Sequence, residues 1–516
     1  MKLRILTRTA ALAGVLLLAN GGLALAAKDK TAEAKPADRP PLRLQVDGTA
    51  IDRSPAAHNS FAPVVKRVST SVVAVYSSKK VRQQDMNQLF NDPVFRHFFG
   101  VPGQGGEDDN GENGNGNIPG NGRHPRESIQ QSLGSGVIVT SDGYVITNNH
   151  VVDGADDVKI KFGQPEREYK ATVVGRDPEG DVAVLKIDAT GLPAARLGDS
   201  DQLQVGDTVL AMGDPFGIGL TVTHGIVSAL GRNSLGIEAY EDFIQTDAPI
   251  NPGNSGGGLF DSEGRLVGIN TAILSHSGGS NGVGFAIPIN LVKSLAEQLI
   301  HSGKVARGFL GVALQPLTPD LASQFGVTTG ALVSDVSPDT PASRAGLKAG
   351  DIITRMDGKT VEDFSQLRLA VSEMIPGTEV TLDIVRDGKP LAIKAKLDQR
   401  PTKSLAGNDH PVGGGTDQGV LNGVTVGDIT AEIREQLQLP AEVKGAVVTE
   451  VDPESASAKA GLARGDIILE LDRKSVHNAD EAVKLSDEIK GPKVLVRLWR
   501  GGTSRYVVVD ETPAAP

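Results

Sequence analysis

A glycine-rich segment, Gly-Asn-Ser-Gly-Gly-Gly at residues 253–258, is the sequence feature that most restricts how this chain can fold. It surrounds the hydroxyl of Ser255 with residues that carry little or no side chain. Glycine reaches backbone conformations that other residues resist and lets a ligand approach the chain closely. A turn of this kind can direct several N–H groups at one point, as stabilisation of an oxyanion requires. Glycine-rich turns are common, so the segment becomes informative only with partners elsewhere in the chain.

Two other motifs supply those partners. The sequence Thr-Asn-Asn-His-Val-Val at residues 147–152 contains His150, and Gly-Asp-Val-Ala-Val-Leu at residues 180–185 contains Asp181. The chain order is therefore His, Asp, Ser, with spacings of 31 and 74 positions that leave room for several strands. Chymotrypsin-like proteases have this order, whereas subtilisin-like proteases run Asp, His, Ser and α/β-hydrolases run Ser, Asp, His.

With these motifs and the domain order that follows them, the chain resembles the HtrA/Deg family of trypsin-like serine proteases from about Phe61 to its C-terminus. The resemblance, together with many short strands bounded by turn signals, predicts a mainly β fold. The expected architecture is a chymotrypsin-like double β-barrel followed by two PDZ-like α+β domains. His150 and Asp181 would come from the first barrel and Ser255 from the second, with the active site between them.

Each of the three residues has a defined role in this interpretation. Ser255 is the expected nucleophile, which needs a base because a serine hydroxyl is hardly ionised at neutral pH. His150 is that base and later the acid, since imidazole titrates near neutral pH. Asp181 would hold the histidine in the productive tautomer and stabilise the imidazolium. The expected site uses no metal and no cofactor.

Other residues compete for two of these roles. Asp177 and Glu179 lie close to Asp181 in sequence, but neither opens an apolar strand, and Asp177 precedes proline as turn residues do. His224 and His276 lack the His-Val-Val context of the predicted base. His276 lies in a Gly/Ser loop, so a minor role in substrate contact stays open.

The resemblance also assigns oxyanion and substrate-pocket residues. Backbone N–H groups of Gly253, Asn254 and Ser255 are the expected oxyanion donors. Ile250 and Ile273 occupy the positions that line the S1 pocket in the family. Aliphatic walls predict a preference for small or medium apolar residues at P1. The alternative, that both isoleucines are simply barrel core, is left open by the sequence.

The N-terminus has the pattern of a secretory signal peptide over residues 1–26. Three basic residues precede an apolar run at residues 10–18, and Ala-Leu-Ala at residues 24–26 resembles a cleavage site. The run is short for a membrane span of about 20 residues, so a membrane anchor is the less favoured interpretation. The family expectation is a periplasmic protein, with residues 27–58 as a flexible segment rich in Ala, Lys, Pro and Asp.

The 516-residue chain has no cysteine and a formal net charge of −11, which becomes −14 when the three basic residues of the signal peptide are removed. It therefore cannot form disulfides or thiolate metal sites. Its negative charge disfavours nucleic acid and anionic lipid surfaces as partners. The resemblance implies unfolded protein substrates and peptide C-termini as partners, homo-oligomers built from trimers, and no transmembrane anchor.

Composition divides the chain further. The protease domain is expected over residues 59–303. It is interrupted at residues 103–122 by a Gly/Asn/Asp-rich stretch that cannot bury a core and is predicted to be disordered. A helix over residues 291–302 would begin after Asn290 as its N-cap and end at Gly303.

An internal repeat follows the protease domain. Ala-Gly-Leu-Lys-Ala-Gly-Asp-Ile-Ile at residues 345–353 matches residues 460–468 with an offset of 115 positions. Two copies of about 100 residues suit compact tandem modules, because a solenoid needs at least three repeats. The copies resemble PDZ domains, expected at residues 308–400 and 417–511 with a Gly/Asp/Pro-rich linker at 402–416.

The opening of the first copy carries the peptide-binding prediction. It resembles the loop whose amides capture a peptide's terminal carboxylate while a sheet edge adds the peptide as a strand. The residues concerned are Phe309, Leu310, Gly311 and Val312. An ordinary buried strand start is the alternative. In the second copy Asn422 weakens the apolar pattern, so peptide binding is better supported in the first.

The predicted function is that of an exported, ATP-independent serine endopeptidase. It would degrade unfolded or damaged envelope proteins through an acyl-enzyme, with chaperone-like holding as a further family property. A PDZ peptide-binding scaffold with an inert protease-like domain is the main alternative, but the intact Ser, His and Asp argue against it. An esterase with the same triad is disfavoured by the order of the three residues.

Overall fold

A computed structural model describes residues 44–51, 60–81, 128–163, 165–214, 219–233, 235–273, 280–401, 418–421 and 423–512. The predicted signal peptide, the stretch at 103–122, the linker at 402–416, His276 and Asn422 lie outside these residues. In the described part of the chain, no helix has the length and apolar character needed to cross a membrane.

A short helix, α1 (Ala62–Val68), and a 3-10 turn (Ser69–Ser71) lead into the first barrel. Six antiparallel strands close this barrel, and in chain order they are β1 Val72–Val81, β2 Ser128–Ile138, β3 Tyr144–Thr147, β4 Asp157–Phe162, β5 Arg167–Asp177 and β6 Val182–Ile187. Their order around the barrel is β1-β2-β3-β6-β5-β4. A one-turn helix, α2 (Asn149–Val152), follows β3. The interior is filled by fully buried aliphatic side chains, among them Val75, Ile138, Val145, Ile160 and Leu185.

The second barrel begins after a 3-10 turn at Ser200–Gln202. Its strands are β7 Thr208–Gly213, β8 Thr221–Arg232, β9 Phe243–Thr246, β10 Gly258–Asp261, β11 Leu266–Ile273 and β12 Gly284–Pro288. The barrel closes in the order β10-β11-β12-β9-β8-β7. Two closed six-stranded barrels confirm the predicted double-barrel fold of the protease region.

Helix α3 (Ile289–Ser302) joins the two barrels, because it packs against β5 and β6 of the first and against β11 and β12 of the second. Its buried residues recur every three or four positions, so one apolar stripe faces the barrels: Ile289, Leu291, Val292, Leu295, Ala296, Leu299 and Ile300. Gly303 ends the helix with a φ of 75°, a left-handed conformation that glycine adopts without steric cost.

The start of α3 differs from the prediction, because the helix begins at Ile289 after Pro288 and not after an Asn290 cap. The Asn290 side chain instead donates to the Asp199 carboxylate at 2.8 Å, and its backbone N–H donates to Ser200 Oγ at 3.2 Å. The residue that looked like a cap is therefore used to attach the helix to the 3-10 turn before the second barrel.

Part of the segment predicted to be flexible makes defined contacts with the rest of the chain. Residues 44–51 lie along the second barrel, where Val46 pairs in parallel with Leu197 and Asp47 N–H donates to Leu197 O at 2.9 Å. The guanidinium of Arg265 donates to Thr49 Oγ1 at 3.0 Å. Composition alone did not reveal this backbone pairing with a residue about 150 positions away.

The first PDZ domain begins with the two-residue strand β13 Gly308–Phe309. Its remaining strands are β14 Val312–Gln315, β15 Ala331–Val336, β16 Ile352–Met356, β17 Lys359–Thr360, β18 Glu379–Arg386, β19 Lys389–Lys396 and β20 Asp398–Gln399. The helices are α4 Pro319–Phe325, α5 Pro341–Ala345 and α6 Phe364–Glu373. The main sheet runs β14-β15-β16-β18-β19, while β13 pairs with β20 at the point where the domain ends.

The second PDZ domain repeats this plan with one difference at its start. Its strands are β21 Gln418–Val420, β22 Val424–Asp428, β23 Ala446–Val451, β24 Ile467–Leu471, β25 Lys474–Ser475, β26 Lys493–Arg500 and β27 Thr503–Asp510. Its helices are α7 Ala431–Gln436, α8 Ala456–Lys459 and α9 Ala479–Glu488. Here the first strand, β21, belongs to the main sheet, which runs β21-β22-β23-β24-β26-β27.

The repeated Gly-Asp-Ile-Ile motif has the same structural role in both PDZ domains. Asp351 and Asp466 have no solvent exposure, and each binds a guanidinium from the hairpin that closes the sheet, Arg386 in the first domain and Arg500 in the second. Each aspartate also accepts a backbone N–H from three residues earlier, at 2.8 and 2.9 Å. The repeat therefore marks a buried ion pair that closes a turn.

The two PDZ domains contact each other through a surface that we call the inter-PDZ face, formed by Gln315, Leu332 and Ile352 with Leu495 and Tyr506. The Gln315 side chain accepts from Tyr506 N–H at 2.7 Å and donates to Tyr506 O at 3.0 Å, as a neighbouring strand would. The face lies on the side of the first sheet away from α6, whose apolar residues pack into the other hydrophobic cluster of that domain.

Candidate active site

His150 and Asp181 contact each other through two hydrogen bonds. His150 Nδ1 lies 2.8 Å from Asp181 Oδ2, and the backbone N–H of His150 donates to Oδ1 at 3.0 Å. Helix α2 begins directly at the end of β3, so the histidine is held by the first barrel and by the carboxylate together. With Nδ1 beside the carboxylate, Nε2 is the ring nitrogen on the side away from Asp181.

The backbone of Asp181 is in the left-handed region, with a φ of 50°. Such a conformation is uncommon for a residue other than glycine and persists where the surroundings enforce it. Asn148 donates from its side chain to the Asp181 carbonyl at 2.9 Å, and Thr271 Oγ1 donates to Oδ2 at 2.7 Å. With 1% of its surface exposed, the aspartate is fixed on both its backbone and its carboxylate.

The acids that compete with Asp181 in the sequence are bound elsewhere. Asp177 forms a bidentate salt bridge with Arg307, in which Nη1 donates to Oδ1 at 2.9 Å and Nη2 donates to Oδ2 at 2.6 Å. Glu179 accepts both of its hydrogen bonds from Arg400, at 3.0 and 2.9 Å. Both arginines belong to the ends of the first PDZ domain, so these acids attach that domain to the protease region.

Ser255 reaches the site from the second barrel. Its hydroxyl donates to Thr271 O at 3.2 Å, and its carbonyl accepts from Ser135 N–H of β2 at 2.8 Å. Thr271 therefore contacts both Asp181 and Ser255 and connects two of the predicted triad residues. Sequence analysis missed Thr271, because it lies in an ordinary apolar strand with no motif around it.

Ser135 is a second residue that sequence analysis missed. Its hydroxyl donates to Gly253 O at 2.6 Å and accepts from Asp214 N–H at 2.8 Å, so it supports the glycine-rich turn from the first barrel. The turn approaches β2 so closely that a Cβ on Gly256 would lie 2.1 Å from Ser135 O. Gly256 also has a φ of 83°, so only glycine fits there without strain. The Gly-Ser-Gly sequence at residues 134–136 was the one available signal.

The glycine-rich turn presents free N–H groups. Within the described residues, the backbone N–H groups of Gly253 and Ser255 donate to no protein acceptor, whereas Asn254 N–H donates to Asn251 O at 2.9 Å. Gly253 has a φ of 99°, a conformation that favours glycine. Of the three predicted oxyanion donors, Gly253 and Ser255 are therefore available, and Asn254 is occupied by the turn itself.

The two predicted pocket residues lie together in the hydrophobic cluster of the second barrel. Ile250 and Ile273 are 1% and 7% exposed, and a Cβ placed on Gly284 would lie 2.9 Å from the Ile250 Cδ1. This placement suits the barrel-core alternative as well as a pocket wall, so the P1 preference stays a prediction. His224 stacks on Phe61 with ring centroids 5.0 Å apart, which gives it a separate structural contact.

Two carboxyl groups in the loop between β8 and β9 have raised pKa values. Burial first, and then the negative charges of Asp181, Glu241 and Asp177, raise the pKa of Glu238 to about 9. Burial, with Asp201 and Asp363, raises the pKa of Asp242 to about 6. In the described residues no group of three or more His, Asp or Glu side chains is placed to hold a metal ion.

Comparison with known proteins agrees with this geometry. Residues 134–269 match a trypsin-like peptidase domain, and residues 308–397 and 447–500 each match a PDZ domain. The fold and the His, Asp and Ser motifs thus define a trypsin-like serine endopeptidase that carries two PDZ domains. The scaffold and esterase alternatives are therefore set aside.

Named relatives give the family. The chain is 41% identical over 447 residues to a probable periplasmic serine endoprotease DegP-like of Chlamydia trachomatis, covering 86% of this chain and 84% of the relative. It is 38% identical over 459 residues to the periplasmic serine endoprotease DegP of Salmonella typhimurium, covering 87% and 92%. A solved structure, HtrA-type protease AlgW with decapeptide, is 44% identical with a TM-score of 0.52, covering 67% of this chain and all of that one. The chain belongs to the DegP/HtrA family of periplasmic serine endoproteases.

Proposed function

We propose that Ser255, His150 and Asp181 form the catalytic triad and cleave peptide bonds through an acyl-enzyme. His150 accepts the Ser255 hydroxyl proton as Oγ attacks the peptide carbonyl, and then donates that proton to the departing amine. Water, deprotonated by His150, releases the acyl group and restores the serine. The observation that carries this proposal is the double hydrogen bond between His150 and Asp181, tied to Ser255 through Thr271.

The oxyanion of the tetrahedral intermediate is assigned to the N–H groups of Gly253 and Ser255. Both are free in the described residues, and Ser135 supports the turn from behind. Preorganised donors of this kind stabilise the charge that develops on the carbonyl oxygen. Each donor contributes on the order of 10²–10³ in turnover in comparable enzymes.

The substrates assigned to this site are extended segments of unfolded or damaged envelope proteins. The groups of the site come from two barrels, so the substrate would lie across the cleft between them. The aliphatic side chains of Ile250 and Ile273 favour a small or medium apolar residue at P1. Export to the periplasm, assembly into trimers and chaperone-like holding of substrates belong to the same proposal.

The first PDZ domain is assigned the capture of peptide C-termini. Within the described residues, the N–H groups of Leu310 and Gly311 donate to no protein acceptor, and Gly311 has a φ of 83°. Strand β14 has a neighbour on one side among the described strands, which leaves an edge to which a peptide can add. A terminal carboxylate would accept the two amides, as charge-assisted hydrogen bonds.

The nucleophile is tested by Ser255→Ala, with Ser302→Ala at the exposed end of α3 as the matched control. Ser255→Ala should abolish both labelling by a fluorophosphonate and cleavage of unfolded casein, without loss of thermal stability. Ser302→Ala should retain both activities. Casein digestion by the Ser255 variant at the rate of the parent protein would show that the nucleophile lies elsewhere.

A further inference from the structure

Strand β21 of the second PDZ domain lies where a bound peptide would lie. It runs antiparallel to β22, with Gln418 opposite Val426, Gly419 opposite Thr425 and Val420 opposite Val424. Helix α9 lies against it on the other side. In the PDZ mode of recognition an extended peptide adds to this same edge, with its C-terminus at the loop that precedes the strand. The C-terminal end of β21 likewise meets the start of β22.

The first PDZ domain leaves the equivalent edge open. Its first strand, β13, turns toward the end of the domain and pairs with β20 through Gly308 with Gln399 and Phe309 with Asp398. Among the described strands β14 is consequently paired with β15 alone. The two copies share the repeat motif and its ion pair, yet they use their first strands differently.

Two amides that flank the loop of the second domain have acceptors within that domain. In the second domain Leu421 N–H donates to Ser486 Oγ of α9 at 3.0 Å, and Val424 N–H donates to Leu421 O at 3.1 Å. Two amides near the second loop are therefore already satisfied by the domain itself.

Charge at the second loop also disfavours a carboxylate. The cavity beside it is lined by four acidic residues and, among the described residues, by no lysine or arginine: Glu450, Asp452, Asp487 and Glu511 are the acids. A peptide's terminal carboxylate brought there would meet charges of its own sign at short range. This repulsion adds to the steric obstacle that β21 presents.

We infer that the second PDZ domain fills its own peptide groove with residues 418–420, so that C-terminal peptides bind the first PDZ domain alone. Because β21 is covalently attached to β22, it competes at a high effective concentration, on the order of millimolar for short connections. A peptide would have to displace β21 and then bind beside the four acids. The inference rests in part on the proposed capture of peptides by the first domain.

Hydrogen exchange measured by mass spectrometry tests the two grooves separately in one full-length protein. The experiment uses the Ser255→Ala background and a peptide with an apolar C-terminal residue, with the amidated peptide as control. In this protein the free-carboxylate peptide should slow exchange at residues 312–315 and leave residues 424–428 unchanged. Absence of any effect at 312–315 would contradict peptide capture by the first domain but not the self-filled second groove.

Two variants then test the groove itself. Gln418→Cys with Val426→Cys links β21 to β22 by a disulfide, which is unambiguous because the chain has no other cysteine. This variant should respond to peptide as its background protein does. Gly419→Pro should weaken the pairing, accelerate exchange at 424–428 on the order of tenfold without peptide, and let peptide slow it again.

The inference is overturned if peptide slows exchange at 424–428 in the protein that lacks these changes and the disulfide abolishes that effect. Ser486→Ala, which frees Leu421 N–H but leaves the strand sequence intact, replaces Gly419→Pro if the proline variant does not fold. Unchanged exchange at 424–428 in an opened, folded variant would likewise show that β21 does not protect this edge.

Discussion

The carboxylate of Asp181 receives hydrogen bonds from the His150 backbone, the His150 ring and Thr271, while its backbone lies in the left-handed region. Replacing it by Asn preserves the shape but offers an amide N–H to the ring, which favours the wrong tautomer. Asp181→Asn should therefore lower turnover on the order of 10⁴-fold, as in other triads. Asp181→Asn turnover within a few-fold of the parent would mean that another acid orients His150.

Thr271 gives a second prediction at this scale, because its hydroxyl donates to the Asp181 carboxylate, which we propose orients His150. Thr271→Val keeps the volume and removes the hydrogen bond, which should lower kcat by about 10- to 100-fold with little change in KM. Thr271→Ser should restore most of the loss, since it keeps the donor. A change in KM alone would indicate a role in substrate contact and not in positioning Asp181.

Residues were predictable from the sequence where their neighbours form a motif. His150, Asp181 and Ser255 each stand in a distinctive local context, whereas Thr271 and Ser135 act through contacts between strands that are far apart in sequence. No local pattern distinguishes such residues from ordinary strand positions. For Asn290 the local sequence predicted a helix cap, but the side chain instead donates to Asp199, which lies 91 positions away in sequence.

At the scale of elements, the buried aspartate of each PDZ repeat closes a turn and binds an arginine of the last hairpin. Asp466→Asn should leave the Arg500 guanidinium poorly compensated and destabilise the second PDZ domain by about 3 kcal/mol, at the lower end for buried pairs because the arginine is partly exposed. Chemical denaturation of the full chain measures the change. Asp387→Asn, which alters the exposed pair with Arg473, serves as the control and should cost little.

The sequence predicted which segments form strands better than it predicted which strands pair with each other. The many short apolar runs with turn signals between them indicated strands, and the resemblance to trypsin-like proteases indicated two barrels. Pairing depends on backbone hydrogen bonds that composition does not encode, so the attachment of residues 44–51 to Leu197 was missed. For the same reason the sequence did not predict that β13 pairs with β20 whereas β21 pairs with β22.

At the scale of the whole molecule, the carboxyl group of Glu238 in the loop between β8 and β9 should make stability depend on pH. A folded-state pKa of about 9 for Glu238, above its usual value near 4.5, means that the folded chain keeps a proton that the unfolded chain releases. The free energy of unfolding therefore falls as the pH rises from about 4.5 to about 9.

Glu238→Gln tests this dependence, because the amide cannot ionise. The variant should melt a few degrees higher than the parent protein at pH 8 and show little difference at pH 4, near the unfolded pKa of Glu. Glu379→Gln on the exposed surface controls for loss of one negative charge. Equal pH profiles for the parent protein and the Glu238 variant would place the titrating group elsewhere.

Excision of residues 308–399 tests whether cleavage requires only the protease region while the response to C-terminal peptides requires the first PDZ domain. With Arg307 and Arg400 retained and joined by a short glycine linker, the partners of Asp177 and Glu179 are kept, so basal cleavage of a reporter peptide should persist. Any acceleration of that cleavage by C-terminal peptides should disappear, because the proposed receptor is gone. Turnover of the reporter against peptide concentration is the measurement, and an equal response in both proteins would exclude the first PDZ domain as the receptor.

The two ends of the first PDZ domain meet at one point on the protease surface. Arg400 N–H donates to Arg307 O at 3.0 Å, and both guanidinium groups lie over the Tyr240 ring, 4.6 and 5.8 Å from its centroid. A domain whose entry and exit coincide can be inserted, exchanged or duplicated without moving the chain on either side. The first PDZ domain is therefore a module that could be removed or replaced without displacing the protease region. In the second copy of the repeat, we infer that strand β21 of the module occupies the module's own peptide groove.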